Sequence, residues 1–161
     1  MMITFDRGIA RFNHRAAGVF IDEGYVLLHR LERDDFWALP GGRIELMERS
    51  AETIVREMEE EIGIQAQVER LLWVVENYFD HSEHQYHEVA FYYLLTADRT
   101  LPIFRKDVEH RGIEVEHPLI YRWFRFEELP DLRVYPTFLK TRLRDLPLQP
   151  EHIVHVDPND E

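Results

Sequence analysis

Apolar and polar positions alternate in blocks along the 161-residue chain, and the period of each block predicts an element. Ala16 to Ile21 and Tyr25 to Arg30 are apolar-rich runs separated by Asp22-Glu23-Gly24, a turn signal that predicts a hairpin. Phe36 to Leu39 reads as a short strand stopped by Pro40-Gly41-Gly42. From Ser50 to Glu61 the period changes. Ala51, Ile54, Val55, Met58 and Ile62 recur at helical spacing, with Ser50 placed as an N-cap and Gly63 as a C-terminal stop. Gln65 to Phe79 contains a long strand through Leu71-Leu72-Trp73-Val74-Val75, and His87 to Thr96 its antiparallel neighbour, joined by a polar loop over Asp80 to Tyr86. Leu101 to Pro118 is charged and aperiodic, an excursion that either covers a site or moves. Leu119 to Phe126 returns to strand character, and Pro136 to Arg144 reads as a helix with proline in its first turn. The pattern is mixed α and β, without repeats or low-complexity segments.

Composition narrows this to one domain, residues 1–146, followed by an acidic tail, 147–161, expected to be disordered or to add an edge strand at a dimer contact. The net charge of −12 argues against a nucleic-acid polymer as partner. It leaves a small nucleotide open, because a bound metal reverses the local charge. With no cysteine there are no disulfides or thiolate sites, which suits a reducing compartment. The first ten residues lack a signal-peptide layout, and no apolar run reaches the roughly 18 residues of a membrane helix, so a cytoplasmic protein without a membrane partner is expected.

Charge within the predicted helix carries the chemistry. Glu57, Glu60 and Glu61 stand at i, i+3 and i+4, so their carboxylates gather at the helix C-terminus, where the dipole disfavours negative charge. A glutamate run is most often a solvated acidic face. Hard divalent cations, Mg²⁺ or Mn²⁺, are the other way to offset such a cluster.

The segment GRIELMERSAETIVREMEEEIGI, from Gly42 to Ile64, resembles the Nudix box of the Nudix hydrolases, GX5EX7REUXEEXGU with U a bulky aliphatic residue. Gly42, Glu48, Arg56, Glu57, Met58, Glu60, Glu61, Gly63 and Ile64 meet every fixed position. The lead-in Trp37-Ala38-Leu39-Pro40-Gly41-Gly42 and the downstream Trp123, Phe126-Glu127-Glu128-Leu129 and Tyr135-Pro136 also resemble the family. Met47 is a departure, standing where many members carry glycine.

The resemblance implies a fold and a chemistry: an α/β/α sandwich around a mixed sheet, and metal-dependent water attack on the diphosphate of a nucleoside diphosphate linked to another moiety. It also implies roles. Glu60, Glu61 and the Gly41 carbonyl would hold Mg²⁺ or Mn²⁺. Glu57 would be a further ligand or the general base, Arg56 would orient Glu57, and Glu48 would fix the loop to the helix. A base outside the box is also open, with Glu88 the first candidate and Glu83 the second. Phe36, Trp37 and Tyr78 are the candidate substrate contacts, with Phe79 and Tyr86 close behind them, although most strand aromatics are core. His81, His84 and His87 have metal-ligand spacing, but with nine histidines in the chain a transition-metal site is the weaker reading.

The array after the box that marks NADH-directed members is missing, and so is the motif of coenzyme A-directed members. A nucleoside triphosphate or nucleoside diphosphate derivative remains the expected substrate, and a homodimer stays open. The alternative function is a non-catalytic nucleotide sensor, which the intact box glutamates argue against. An isopentenyl-diphosphate-type isomerase would want a cysteine this chain does not have.

Overall fold

Residues 1–157 are described by a computed structural model. Two sheets diverge from a shared core. The larger is mixed, in the order β1 (Thr4–Arg7), β2 (Ala10–Val19), β7 (His84–Thr96), β6 (Gln67–His81) and β10 (Glu151–Val156), with β5 (Gly41–Arg43) also paired to β2. β2 runs parallel to β7 and β10 parallel to β6, whereas β6 and β7 are antiparallel. The smaller, antiparallel sheet has the order β3 (Ile21–Asp22), β4 (Tyr25–Leu31), β9 (Leu119–Arg125) and β8 (His110–Arg111).

Helix α1 (Ser50–Ile62) lies on one side and inserts the fully buried Ile54 and Met58 among Ala16, Phe20, Leu27 and Tyr121. Each such side chain contributes about 1.5–3 kcal/mol on burial. On the other side, the turn at 126–131 and the short helix α2 (Leu139–Arg142) bury Leu129, Leu139 and Leu143 against Trp73, Tyr92 and Phe124. The result is the expected α/β/α layering.

Most predicted elements are present, with changed limits. The Asp22-Glu23-Gly24 hairpin forms, with Glu23 and Gly24 both at positive φ. α1 starts at Ser50, but Arg49 is its cap residue. The Arg49 N–H donates to Glu52, and the Ser50 hydroxyl bonds Tyr93 instead of the helix backbone. Gly63 ends the helix at φ 67°. Phe36 to Leu39 forms isolated bridges, Ala38 to His29 and Trp37 to Val134, instead of a ladder. The expected loop over Asp80 to Tyr86 is mostly ladder, because β6 and β7 continue to a tight turn at Ser82-Glu83. The helix expected over 136–144 shortens to α2 after turns at Pro136 and Thr137. The excursion over 101–118 folds back as β8, and the Ile113 N–H donates to the Glu61 carbonyl at 2.7 Å. Where a tail was expected from 147, residues 151–156 are β10 in this chain's own sheet, and 158–161 lie outside the described residues. Among the described residues no helix is long and apolar enough to cross a membrane.

His29 on β4 is buried, its Nδ1 has no hydrogen-bond partner among the described residues, and its ring tilts against Tyr121. Burial, helped by the charge of Arg15, pushes its pKa down from 6.5 to about 3. The folded state therefore holds the ring neutral where the unfolded chain would protonate it. Its contribution is fully present above pH 6.5 and is lost as pH falls from there toward 3. In His29→Phe, stability measured by urea unfolding should decline less steeply than wild type between pH 6.5 and 4, by up to about 1.4 kcal/mol per pH unit. Parallel pH profiles for the two proteins would show that His29 does not titrate between the states.

Candidate active site

The site is assembled where β5 passes between β2 and α1. Gly41 must be glycine because the strands meet there: a Cβ would stand 2.2 Å from the Ala16 carbonyl oxygen. At Gly42 a Cβ would stand 2.3 Å from the Glu57 carboxyl carbon and 2.4 and 2.6 Å from its oxygens. The Glu57 carboxylate thus lies directly over bare backbone. The loop from 44 to 49 then carries Met47 at φ 70°, a left-handed conformation that explains why glycine suits this position.

Arg56 organises the carboxylates. Its Nε and Nη2 donate to Glu48 at 2.7 and 2.9 Å, and its Nη1 donates to Glu57 at 3.0 Å and Glu60 at 3.1 Å. The two-pronged bond from Arg56, with a hydroxyl donated by Thr53, holds the Glu48 carboxyl down at about 2. This is more than an exposed surface pair, since Glu48 and Arg56 keep only 16% and 26% of their side chains accessible.

Glu57 and Glu61, one turn apart, face the sheets and are buried, which polar residues on α1 were not expected to be. Burial raises the Glu57 pKa, opposed by Arg56 and reinforced by Glu60. Burial also pushes Glu61 up, to about 8, against a 2.7 Å hydrogen bond donated by the Tyr121 hydroxyl, with the charge of Glu57 adding to the rise. Glu60 is exposed by comparison, with 52% of its side chain accessible, and shares the Arg56 Nη1 with Glu57. Two buried like charges with raised pKa values are what a hard cation would relieve, so the donor chemistry fits Mg²⁺ or Mn²⁺. Among the described residues, however, no three His, Asp or Glu side chains are gathered closely enough to hold a metal as they stand.

Beside the box lies a cavity of about 590 Å³, a size suited to a small organic ligand. Box glutamates do not line it; Arg15 connects the two regions. Arg15 lines the cavity while its charge opposes the rise that burial imposes on the pKa of Glu57, Glu61 and Glu88. Nothing in the sequence singled out Arg15, although a lone cation entering the run Ala16-Ala17-Gly18-Val19 was the available signal.

Phe36, a candidate substrate contact, and Glu88, a candidate base, both line the cavity, and Glu88 is buried, with burial raising its pKa against Arg15 and Asn13. Trp37 does not line it. Its ring turns the other way from its neighbour Phe36, into the core against Phe124, centroids 4.7 Å apart. Tyr78 also points elsewhere, stacked on His87 on the opposite sheet face, because alternation along β6 gives the cavity Asn77 and Phe79 instead. Tyr86 stacks on Phe79. His81 reaches the cavity rim, Glu83 is exposed in the β6–β7 turn, and His84 pairs with Asp6, so the three histidines do not converge.

The family model for the NUDIX domain matches residues 12–144, most of the chain. The chain belongs to the Nudix family. This Nudix domain is 30% identical over 123 residues to a Bacillus subtilis (strain 168) protein named "Putative ADP-ribose pyrophosphatase YjhB", covering 76% of this chain and 56% of that one. It therefore spans little more than half the length of that curated relative. Among solved structures, a UDP-X diphosphatase is 26% identical with a TM-score of 0.50, covering 71% of this chain and 51% of that one. A MutT NUDIX hydrolase from Burkholderia pseudomallei is 25% identical with a TM-score of 0.58, covering 80% and 95%. The Nudix fold, already legible in the layering, is common to them.

Proposed function

We propose that this Nudix domain is a metal-dependent diphosphatase acting on a small nucleotide, either a nucleoside triphosphate or a nucleoside diphosphate linked to another group. One observation carries the reading: Glu57, buried over Gly42 and one turn from the buried Glu61, is tied through the charge of Arg15 to a ligand-sized cavity. The relatives named for ADP-ribose and UDP-X hydrolysis support a diphosphate as the group attacked.

Glu60, Glu61 and the Gly41 carbonyl are the residues proposed to hold Mg²⁺ or Mn²⁺, with Glu57 either a further ligand or the general base. When bound, the cation neutralises diphosphate oxygens and acidifies water. The chain's own residues do the rest. Arg15 offers a cation toward the diphosphate from the cavity side. Arg56, anchored on Glu48, keeps Glu57 in place. Where it is not a ligand, Glu57 is the general base: burial raises its pKa, which suits it to accept the proton of the attacking water. Glu88, neutralised more readily by its burial, is the alternative base. A reducing, cytoplasmic setting completes the proposal.

The test is hydrolysis of a nucleotide panel with Mg²⁺ or Mn²⁺, products resolved by mass. Turnover of one class that stops on chelation, with Glu61→Gln raising the Mg²⁺ requirement, is the expected result. Binding without hydrolysis across the panel would leave a nucleotide sensor instead.

A further inference from the structure

Asp157 follows β10, lines the cavity and is 6% exposed. Aspartate is almost never buried to this degree unless it is paired, and its partners show what it holds. Its Oδ1 accepts from the Thr137 hydroxyl at 2.6 Å, the Thr137 N–H at 3.2 Å and His155 Nε2 at 2.8 Å. Thr137 thus spends its side-chain hydroxyl and its backbone donor on one carboxylate oxygen. The segment just before it, Tyr135-Pro136, is part of the cavity wall.

The near end of that wall is fixed by backbone bonds. The Tyr135 N–H donates to the Trp37 carbonyl at 3.0 Å, and the Trp37 N–H to the Arg133 carbonyl at 2.8 Å. Here Tyr135 meets Phe36, another lining residue, with ring centroids 5.6 Å apart. Pro136 has no N–H to donate. Thr137 then makes its two bonds to Asp157 before the chain turns into α2. Asp157 is itself anchored to the large sheet. Its N–H donates to the Tyr78 carbonyl at 3.0 Å, where the parallel ladder sets Val156 opposite Tyr78. The Tyr135-Pro136 wall is therefore held at both ends, by the Trp37 bridge and by Asp157.

We propose that Asp157 is a positioning residue for ligand binding: acting through Thr137, it sets the Tyr135-Pro136 wall against the sheet and so fixes how tightly the nucleotide is held. The inference rests on the diphosphatase reading of this site. The box glutamates do not line this cavity, so a displaced wall weakens contacts that ground state and transition state share. Loss of such contacts raises KM and leaves kcat. Asp157 lies beyond residues 12–144, the part matched by the family model, so the tie comes from outside the matched domain.

The test uses the full chain and analogues of ATP, GTP, ADP-ribose and UDP-glucose with a methylene group bridging the first two phosphorus atoms, a bond water cannot cleave. Their equilibrium binding gives Kd, and hydrolysis of the parent nucleotides with Mg²⁺ gives KM and kcat. In Asp157→Ala, Kd and KM for the ligand that wild type binds best should rise about tenfold, with kcat within about twofold. Asp157→Asn keeps an oxygen for both Thr137 bonds and should bind within about threefold of wild type. Thr137→Val removes the hydroxyl and keeps the N–H bond. It should raise Kd by less than Asp157→Ala, so a folding defect in that variant would not decide the matter. Unchanged Kd in Asp157→Ala and Thr137→Val would overturn the inference, as would a loss confined to kcat. Asp157→Asn as weak as Asp157→Ala would overturn it in favour of a carboxylate that contacts the ligand directly. Wild type that binds none of the analogues would overturn it together with the diphosphatase reading. Binding that weakens as expected in a protein that hydrolyses no nucleotide would sink the diphosphatase reading alone. Hydrolysis with binding unaltered in the variants would do the reverse.

Discussion

Glu57→Gln is expected to lower kcat by two to four orders of magnitude, the usual worth of a positioned general base. The fold should survive. The amide keeps the size of the side chain over Gly42, and Arg56 keeps its two bonds to Glu48. Removing one of two buried like charges relieves Glu61, whose raised pKa owes part of its shift to Glu57. The melting temperature should therefore stay level or rise, and a thermal melt beside single-turnover kinetics separates the two effects. Retained turnover in the variant would transfer the base role to Glu88.

Gly42→Ala should come close to the same loss by a different route. The added methyl would occupy the place of the Glu57 carboxylate, at 2.3 Å from its carbon. A glutamate end is flexible, so the chain yields cheaply and the carboxylate is displaced. Backbone strain does not enter, because Gly42 does not adopt a positive φ. A fall in kcat of at least a hundredfold with a melting temperature within a few degrees of wild type is expected, since misplacement of about 1 Å at a reacting group costs on that order. Activity near wild type would mean that the position of Glu57 over the loop is irrelevant to the chemistry.

Local spacing was legible, whereas phase and partnership were not. The box helix and the Asp22-Glu23-Gly24 hairpin follow from residues a few positions apart, and both are found. Choosing between Phe36 and Trp37, or between Tyr78 and its neighbours Asn77 and Phe79, depends on which way a strand faces. A shift of one residue reverses every such assignment, and aromatics on both faces hide the answer. The turn at Ser82-Glu83 was masked because the far end of the β6–β7 ladder is solvent-exposed and hence polar. The burial of Glu57 and Glu61 beside Arg15 arises from strands β2 and β5 meeting α1, a contact with no local signature.

β10 is the last described strand in chain order, yet it pairs with β6, near the middle of the sequence. Parallel ladders between distant segments close slowly, because the loop entropy is lost before the contacts form. During synthesis, strands β1 to β9 and the box helix leave the ribosome first and can begin to associate. The nascent chain therefore holds its box carboxylates before Asp157 completes the cavity wall. The carboxylate cluster of the box and the finished cavity wall mature at different times.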